Sequence, residues 1–119
     1  MKITILAVGK VKEKFYTEAI KEYTKRLGRY CKLEIIEVSD EKTPDHASPH
    51  EEALIRKKEG DRLRKYIKEG AYVISLAIQG KKYTSETFAK RIHALGLSGE
   101  SHIIFIIGGS IGLDEDILN

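Results

Sequence analysis

A glycine-rich segment, Gly108-Gly109-Ser110-Ile111-Gly112, is the part of the sequence best suited to hold a ligand. It follows the apolar run His102–Ile107 and precedes the acidic residues Asp114–Asp116, an order typical of a buried strand, a turn and a helix start. Glycine lets a ligand approach the backbone, and the free N–H groups of a helix start can receive an anionic or polar group. A tight turn without a ligand is the alternative, but three glycines in five residues favour a ligand loop.

Two familiar phosphate-binding motifs do not match this segment. A dinucleotide fingerprint follows the first strand of its unit and needs an acidic residue about 20 positions later. Here the glycines follow the fourth predicted strand, close to the last residue of the sequence. A P-loop requires Gly-Lys-Ser/Thr after its first glycine, and Gly112 is followed by leucine and aspartate instead.

The histidines and the single cysteine do not indicate a second site. His46 and His50 are four positions apart, but Pro49 lies between them, so they do not share a helical face and we expect no metal site. Because Cys31 is the only cysteine of the sequence, it cannot form an intrachain disulfide. We expect it to pack in the fold rather than to act as a reactive thiol. Spacing alone assembles no nucleophilic triad, so the catalytic residue stays unknown.

The elements that position the glycine segment alternate between strand and helix. Strands are predicted over Lys2–Val8, Lys32–Val38, Ala71–Ile78 and His102–Ile107, and helices over Glu13–Leu27, Pro49–Lys68, Glu86–Leu95 and from Asp114. Ser48 and Glu51 form a capping box for the second helix, and Thr84 or Ser85 caps the third. Near-continuous apolar strands in this order predict one α/β domain over residues 1–119, a parallel sheet with helices on both faces.

The loops at the carboxyl ends of such strands are where ligands bind in open parallel sheets. Besides the glycine segment, these loops are Gly9–Lys14 and Gln79–Tyr83. Both are basic, and residues 1–32 carry nine Lys/Arg against three Glu, a local charge of +6 in a chain of net charge +3. A one-sided basic patch is typical of polyanion binders, although a solvated helix face is an equal alternative.

Composition sets the broad class of the protein. The chain has 119 residues, 41% of them hydrophobic and 33% charged, which is ordinary for a small globular domain. No apolar run reaches about 18 residues, so we expect no membrane span. Without a recognisable export signal, we expect a cytoplasmic protein.

Three stretches resemble a known family. They are MKITILAVGKVKEKFYTEAIKEYTKRL at the start, VISLAIQGKKYTSETFA around the third strand and FIIGGSIGL around the glycine segment. The chain is similar over essentially all 119 residues to the bacterial ribosomal RNA large subunit methyltransferase H family, of the knotted SPOUT class. The resemblance implies a homodimer that acts on assembled ribosomes and uses S-adenosylmethionine to methylate N3 of a pseudouridine in 23S rRNA.

The resemblance also implies specific site residues. It places Leu76 and Gly108 in the cofactor pocket, and we extend that pocket to Ile78, Gly109 and Ser110, which border the same crevice. The rRNA phosphates are expected to contact basic residues of the two lysine-containing loops: Lys10, Lys12, Lys14, Lys81 and Lys82.

Members of this family continue past Asn119 with a last strand, a further cofactor loop and the knotted C-terminal helix. We therefore expect a SPOUT-like sheet without the trefoil knot, exposed apolar surface, and weak or absent cofactor binding and activity. Two other functions remain open: an inactive RNA-binding fragment, and a small flavodoxin-like nucleotide-binding module.

Overall fold

The structure, a computed structural model, describes residues 1–118 and contains one four-stranded parallel sheet. Its strands lie in the order β2-β1-β4-β3, and every neighbouring pair is parallel. The elements in chain order are β1 (Lys2–Val8), α1 (Lys14–Leu27), β2 (Lys32–Val38), α2 (Pro49–Arg64), β3 (Tyr72–Ser75), α3 (Ser85–Leu97), β4 (His102–Ile107) and α4 (Glu115–Leu118). The predicted parallel α/β architecture is confirmed.

One face of the sheet carries the main core. Successive strand side chains point to opposite faces, and on this face Leu6, Ile104 and Ile106 are fully buried against Leu63 of α2. Val38 completes the buried cluster from the edge strand β2. The two central strands, β1 and β4, therefore supply most of the apolar surface that α2 covers.

The opposite face is covered by α3. The ring of Phe88 lies 5.9 Å from the ring of Phe105, which points away from the α2 face because it alternates with Ile104 and Ile106. Leu95 of the same helix is buried, and so is Ile103 of β4. Helices thus lie on both sides of the sheet, as predicted.

Three predicted boundaries differ from the structure by two or more residues. β3 ends at Ser75 rather than Ile78, although the Leu76 N–H still donates to the Ile106 carbonyl. α2 ends at Arg64, because its last turn passes into turns leading to Gly70, whose φ is +85°. α3 continues through Gly96 to Leu97.

The first helix has the predicted apolar stripe but buries none of it. α1 contains no buried residue, and its side chains Phe15, Tyr16 and Tyr23 are all more than half exposed. Helical spacing of apolar residues shows that a helix has an apolar face, but it does not show what covers that face.

Two further expectations concern the limits of the chain. We expect the trefoil knot to depend on residues after Asn119. Those residues lie outside the part of the chain that the structure describes, so this expectation stays a prediction. Among residues 1–118, no helix is long and apolar enough to cross a membrane.

Candidate functional site

The candidate site lies beyond the carboxyl ends of β3 and β4, which are neighbours in the sheet. Ser75 pairs with Ile106, so the segments that follow the two strands leave the same edge of the sheet next to each other. Open parallel sheets bind ligands at this edge, beyond the carboxyl ends of their strands.

A cleft of about 450 Å³ opens at this edge, which is within the usual range for small-molecule sites. Its walls come from the segment after β3 and from residues 108–113, which we call the glycine turn. Leu76, Ile78, Gly108 and Gly109 all line the cleft, so the structure brings together four of the five predicted cofactor residues. Ser110 is exposed beside the cleft and is not among its lining residues.

The two apolar side chains of the cleft wall are unusually open to solvent. Leu76 is 52% exposed and Ile78 is 91% exposed. Both belong to the apolar run that was predicted to continue β3, and they leave the sheet because that strand stops at Ser75. Exposed apolar side chains that line a concave surface are a feature of ligand sites.

The structure explains why the turn contains glycine at three positions, which the sequence alone did not show. A Cβ at Gly108 would lie 2.9 Å from the Gly112 carbonyl carbon and 2.9 Å from Leu113 Cγ. A Cβ at Gly109 would lie 3.0 Å from a carboxylate oxygen of Glu59, and Gly112 has a φ of +87°. Close packing at Gly108 and Gly109 and the positive φ at Gly112 therefore account for all three glycines, and their number is not an independent sign of a ligand.

One face of α2 holds the glycine turn from behind. We call its residues Arg56, Glu59, Gly60 and Arg64 the α2 strip, since their spacing places them on one side of the helix. Arg56 Nη1 donates to the Ile111 carbonyl at 3.5 Å, and Arg64 Nη2 donates to Asp114 Oδ2 at 2.6 Å. These contacts attach α2 to the second half of the turn and to the residue that follows it.

None of the four residues of this strip was identified as functional from the sequence, and two of them have unusual surroundings. Glu59 is only 4% exposed, an unusual environment for a carboxylate. Gly60 belongs to a residue type that weakens a helix, but it is buried here, and a Cβ at this position would lie 3.1 Å from Asp114 Oδ2. The signal was available, because Glu59 and Gly60 share a helical face with the apolar Leu63.

The Arg64–Asp114 ion pair fixes the start of α4. The hydrogen bond from Arg64 lowers the pKa of the Asp114 carboxyl, against the opposing effect of partial burial. The same bond raises the pKa of the Arg64 guanidinium. Asp114 also accepts from the Asp116 N–H at 3.4 Å, so its carboxylate caps the short helix while it holds α2.

The predicted RNA-binding lysines follow β1 and β3, whose carboxyl ends lie at the same edge of the sheet. Lys10 and Lys12 lie in the loop after β1, and Lys14 is the first residue of α1. Lys81 and Lys82 follow β3, with Lys81 Nζ 5.3 Å from the centre of the Tyr83 ring. All five side chains are exposed.

The histidines lie away from the cleft lining. His102 Nε2 is 2.8 Å from Thr4 Oγ1 at the amino end of the sheet, and burial together with Lys2 and Lys68 lowers the pKa of its ring. Within residues 1–118, no three His, Cys, Asp or Glu side chains are arranged to hold a metal ion.

Comparison with known proteins identifies the family. Residues 1–119 match the family described as predicted SPOUT methyltransferase. The chain is 62% identical over 118 residues to the ribosomal RNA large subunit methyltransferase H of Bifidobacterium adolescentis, covering 99% of this chain and 74% of that relative. The chain belongs to the ribosomal RNA large subunit methyltransferase H family, within the SPOUT methyltransferases.

Other relatives give the same result. Identity is 56% over 118 residues to the methyltransferase H of Clostridium kluyveri, covering 99% of this chain and 74% of the relative. It is 51% over 119 residues to that of Acetivibrio thermocellus, covering 100% and 75% respectively. Membership of the family predicted from the glycine turn and the basic first helix is thereby confirmed.

Proposed function

We propose that the protein methylates N3 of a pseudouridine in 23S rRNA on the assembled ribosome, with S-adenosylmethionine as the methyl donor. The observation that carries the proposal is the cleft beyond the carboxyl ends of β3 and β4, in which Leu76 and Ile78 stand exposed opposite the glycine turn. Further support comes from relatives that are named ribosomal RNA large subunit methyltransferases.

The residues present fit this cofactor. An adenine ring needs an apolar slot, which Leu76 and Ile78 provide, and polar groups of the cofactor need backbone partners, which the glycine turn provides at Gly108 and Gly109. Ser110 stands at the rim of the cleft, within the same turn. When bound, the cofactor supplies an activated methyl group on a positively charged sulfur.

The chain's own contribution is to align the acceptor. N3 of the pseudouridine must lose its proton as it gains the methyl group. The methyl–sulfur bond breaks in the same step, so N3 has to be held in line with that bond. Exposed lysines at this edge would fix the rRNA by its phosphates, which sets the position of the base without reading its sequence.

A homodimer is part of the proposal. The described residues leave the apolar stripe of α1 uncovered, including Phe15, Ile20 and Tyr23. A contiguous exposed apolar surface of this kind favours association. Sedimentation velocity would test it, with Ile20→Lys expected to shift the distribution towards monomer and the exposed Ala89→Lys of α3 as the control.

Cofactor binding is the first experiment. Because the 119-residue chain is expected to bind weakly, a ¹⁵N-NMR titration with S-adenosylmethionine suits it better than calorimetry alone. Shifts should concentrate at residues 76–79 and 108–113, with Leu76→Ala weakening the affinity about tenfold through lost apolar contact. Leu97→Ala is a matched control, since that leucine is 77% exposed and lies on α3, away from the cleft.

The outcome separates the candidate functions. Shifts in the cleft support the methyltransferase proposal, whereas no shifts in a folded chain, with a full-length relative binding alongside, would favour an inactive RNA-binding fragment. Tight binding of a flavin or a nucleoside diphosphate in place of S-adenosylmethionine would favour the flavodoxin-like alternative.

RNA binding and the reaction need separate assays. Affinity for a 23S rRNA stem-loop should fall with salt, and Lys81→Ala with Lys82→Ala should reduce the slope of log K against log salt by up to about two. Methylation would be followed by mass spectrometry of nucleosides from ribosomes, with a mass gain of one methyl group on pseudouridine. An unchanged salt slope would remove the two lysines from the RNA interface.

A further inference from the structure

The carboxyl group of Glu59 is the most unusual polar group of the chain. It belongs to the middle of α2 but is 4% exposed, at a position where most carboxylates would be in water. Its Oε2 accepts the N–H of Glu41 at 3.0 Å. Its Oε1 is fully buried and has no hydrogen-bond partner among residues 1–118.

This carboxyl group lies where three loops meet. The Glu41 N–H brings the segment after β2, while the Gly109 Cα of the glycine turn is so close that a Cβ there would lie 3.0 Å from Oε1 and 3.2 Å from Oε2. The same Cβ would lie 3.2 Å from Val8 Cγ1 at the end of β1. Glu59 therefore stands directly behind the wall of the cleft.

The glycine turn has a backbone donor without a partner among residues 1–118. Gly109 and Gly112 pair with each other in an antiparallel bridge, in which the Gly112 N–H donates to the Gly109 carbonyl at 3.1 Å, but no hydrogen bond of these residues has the N–H of Ser110 as its donor. An unpaired buried carboxylate oxygen is costly, and so is a backbone N–H that a ligand shields from water without a partner. Both costs would be removed by one rearrangement of the turn.

We infer that Glu59 is a positioning residue whose free oxygen accepts an N–H of the glycine turn when a ligand fills the cleft. The inference rests on the proposed function for the identity of that ligand. Glu59 does not touch the ligand, because Gly109 lies between its carboxylate and the cleft. It acts through the turn, which it holds in the form that receives the ligand.

The decisive variant is Glu59→Gln. The amide oxygen of glutamine can still accept the Glu41 N–H, but its NH₂ group then occupies the place of Oε1 and cannot accept a second N–H. The unliganded variant should be at least as stable as the parent, because a buried unpaired amide costs less than a buried unpaired carboxylate. Its affinity for S-adenosylmethionine should nevertheless fall about tenfold or more.

Opposite effects on stability and affinity distinguish this role from a merely structural one. Thermal unfolding and the ¹⁵N-NMR titration would be measured on the parent, Glu59→Gln and the control Glu69→Gln, which removes an exposed carboxylate just after the same helix. In the parent, the amide proton of Ser110 should move downfield on saturation, and this shift should be absent from Glu59→Gln. A Glu59→Gln variant that unfolds at lower temperature, or one that binds as tightly as the parent, would overturn the inference.

A double-mutant cycle tests the contact without any ligand. Gly109→Ala should destabilise the chain through its clash with the Glu59 carboxylate, and Glu59→Ala should relieve that clash. The combined variant should therefore be more stable than the sum of the single effects predicts, whereas additive effects would contradict the contact. If the parent binds no S-adenosylmethionine, the proposed function fails, and the unfolding of Glu59→Gln together with this cycle still decides whether Glu59 holds the turn.

Discussion

Replacing Gly108 with alanine is the most direct test of the geometry of the glycine turn. The added Cβ would lie 2.9 Å from the Gly112 carbonyl carbon, 2.9 Å from Leu113 Cγ and 3.0 Å from the Gly112 carbonyl oxygen. Two of these atoms belong to the backbone, so the clash cannot be relieved by turning a side chain. Overpacking of this kind costs about 1–3 kcal/mol, and we expect Gly108→Ala to lower the free energy of unfolding by that amount.

Gly96→Ala is the matched control. Gly96 lies inside α3, and a Cβ there would meet only the Met1 Cε, at 3.3 Å, the end of a flexible side chain. Alanine is favoured over glycine in a helix by about 1 kcal/mol. The control should therefore be slightly more stable than the parent, and the two alanine variants should differ by about 2–4 kcal/mol.

Urea denaturation followed by far-ultraviolet circular dichroism would measure this difference. With a slope of about 2 kcal/mol per molar urea, the two midpoints should be about 1–2 M apart. Equal midpoints for Gly108→Ala and the parent would refute the argument, because they would show that the turn has room for a side chain. A fall in ligand affinity without any fall in stability would likewise contradict it.

Three further predictions concern stability. The pKa of His102 is lowered by burial and nearby lysines, so stability should decrease as pH falls below the unfolded value of 6.5, and His102→Gln should remove that decrease from urea midpoints measured between pH 7 and 5. The hydrogen bond from Arg64 lowers the pKa of Asp114, so the contribution of this carboxylate to stability is present above pH 3.8 and is lost as pH falls through the lower folded pKa. Asp114→Asn should therefore cost about 1 kcal/mol or less of unfolding free energy at pH 7, since the ion pair is partly exposed. An equal cost at pH 2 would contradict this. Ser48→Ala should cost about 1 kcal/mol in thermal unfolding, because the reciprocal bonds between Ser48 and Glu51 cap α2, and an unchanged melting temperature would show that the cap contributes nothing.

Much of the fold could be predicted because its signals are local. Short β-branched runs indicated the four strands, and Ser48 marked the start of α2. For α3 the sequence left the cap open between Thr84 and Ser85, and the structure has Thr84; both helices begin with a capping box. The end of β3 could not be predicted, because Leu76 and Ile78 are residue types that also occur in buried strands. They differ from the residues of β3 in being exposed, and the sequence does not show this exposure. Local sequence indicates which residues are apolar, whereas burial depends on segments distant in the chain.

The site was predicted in part for the same reason. Gly108, Gly109, Leu76 and Ile78 were found from a strand-to-turn pattern and a family resemblance, and the structure places them around one cleft. Glu59 and Arg64 were missed, because their roles depend on contacts with Gly109 and Asp114, 50 residues further along the chain. The assignment of the four cleft residues to the cofactor, and that of Glu59 as a positioning residue, stay predictions until ligand binding is measured.

The pairing of β1 with β4 has a consequence for how the chain is made. The side chains of Thr4 and His102 meet across 98 positions of sequence, so the centre of the sheet joins the first strand to the fourth. During synthesis at about 5–20 residues per second, β1 and β2 would wait roughly 4–14 s for β4 to be made. Until then, the side of β1 that will pair with β4 has unpaired backbone N–H and C=O groups. We expect chaperones to bind the nascent chain at this exposed strand edge.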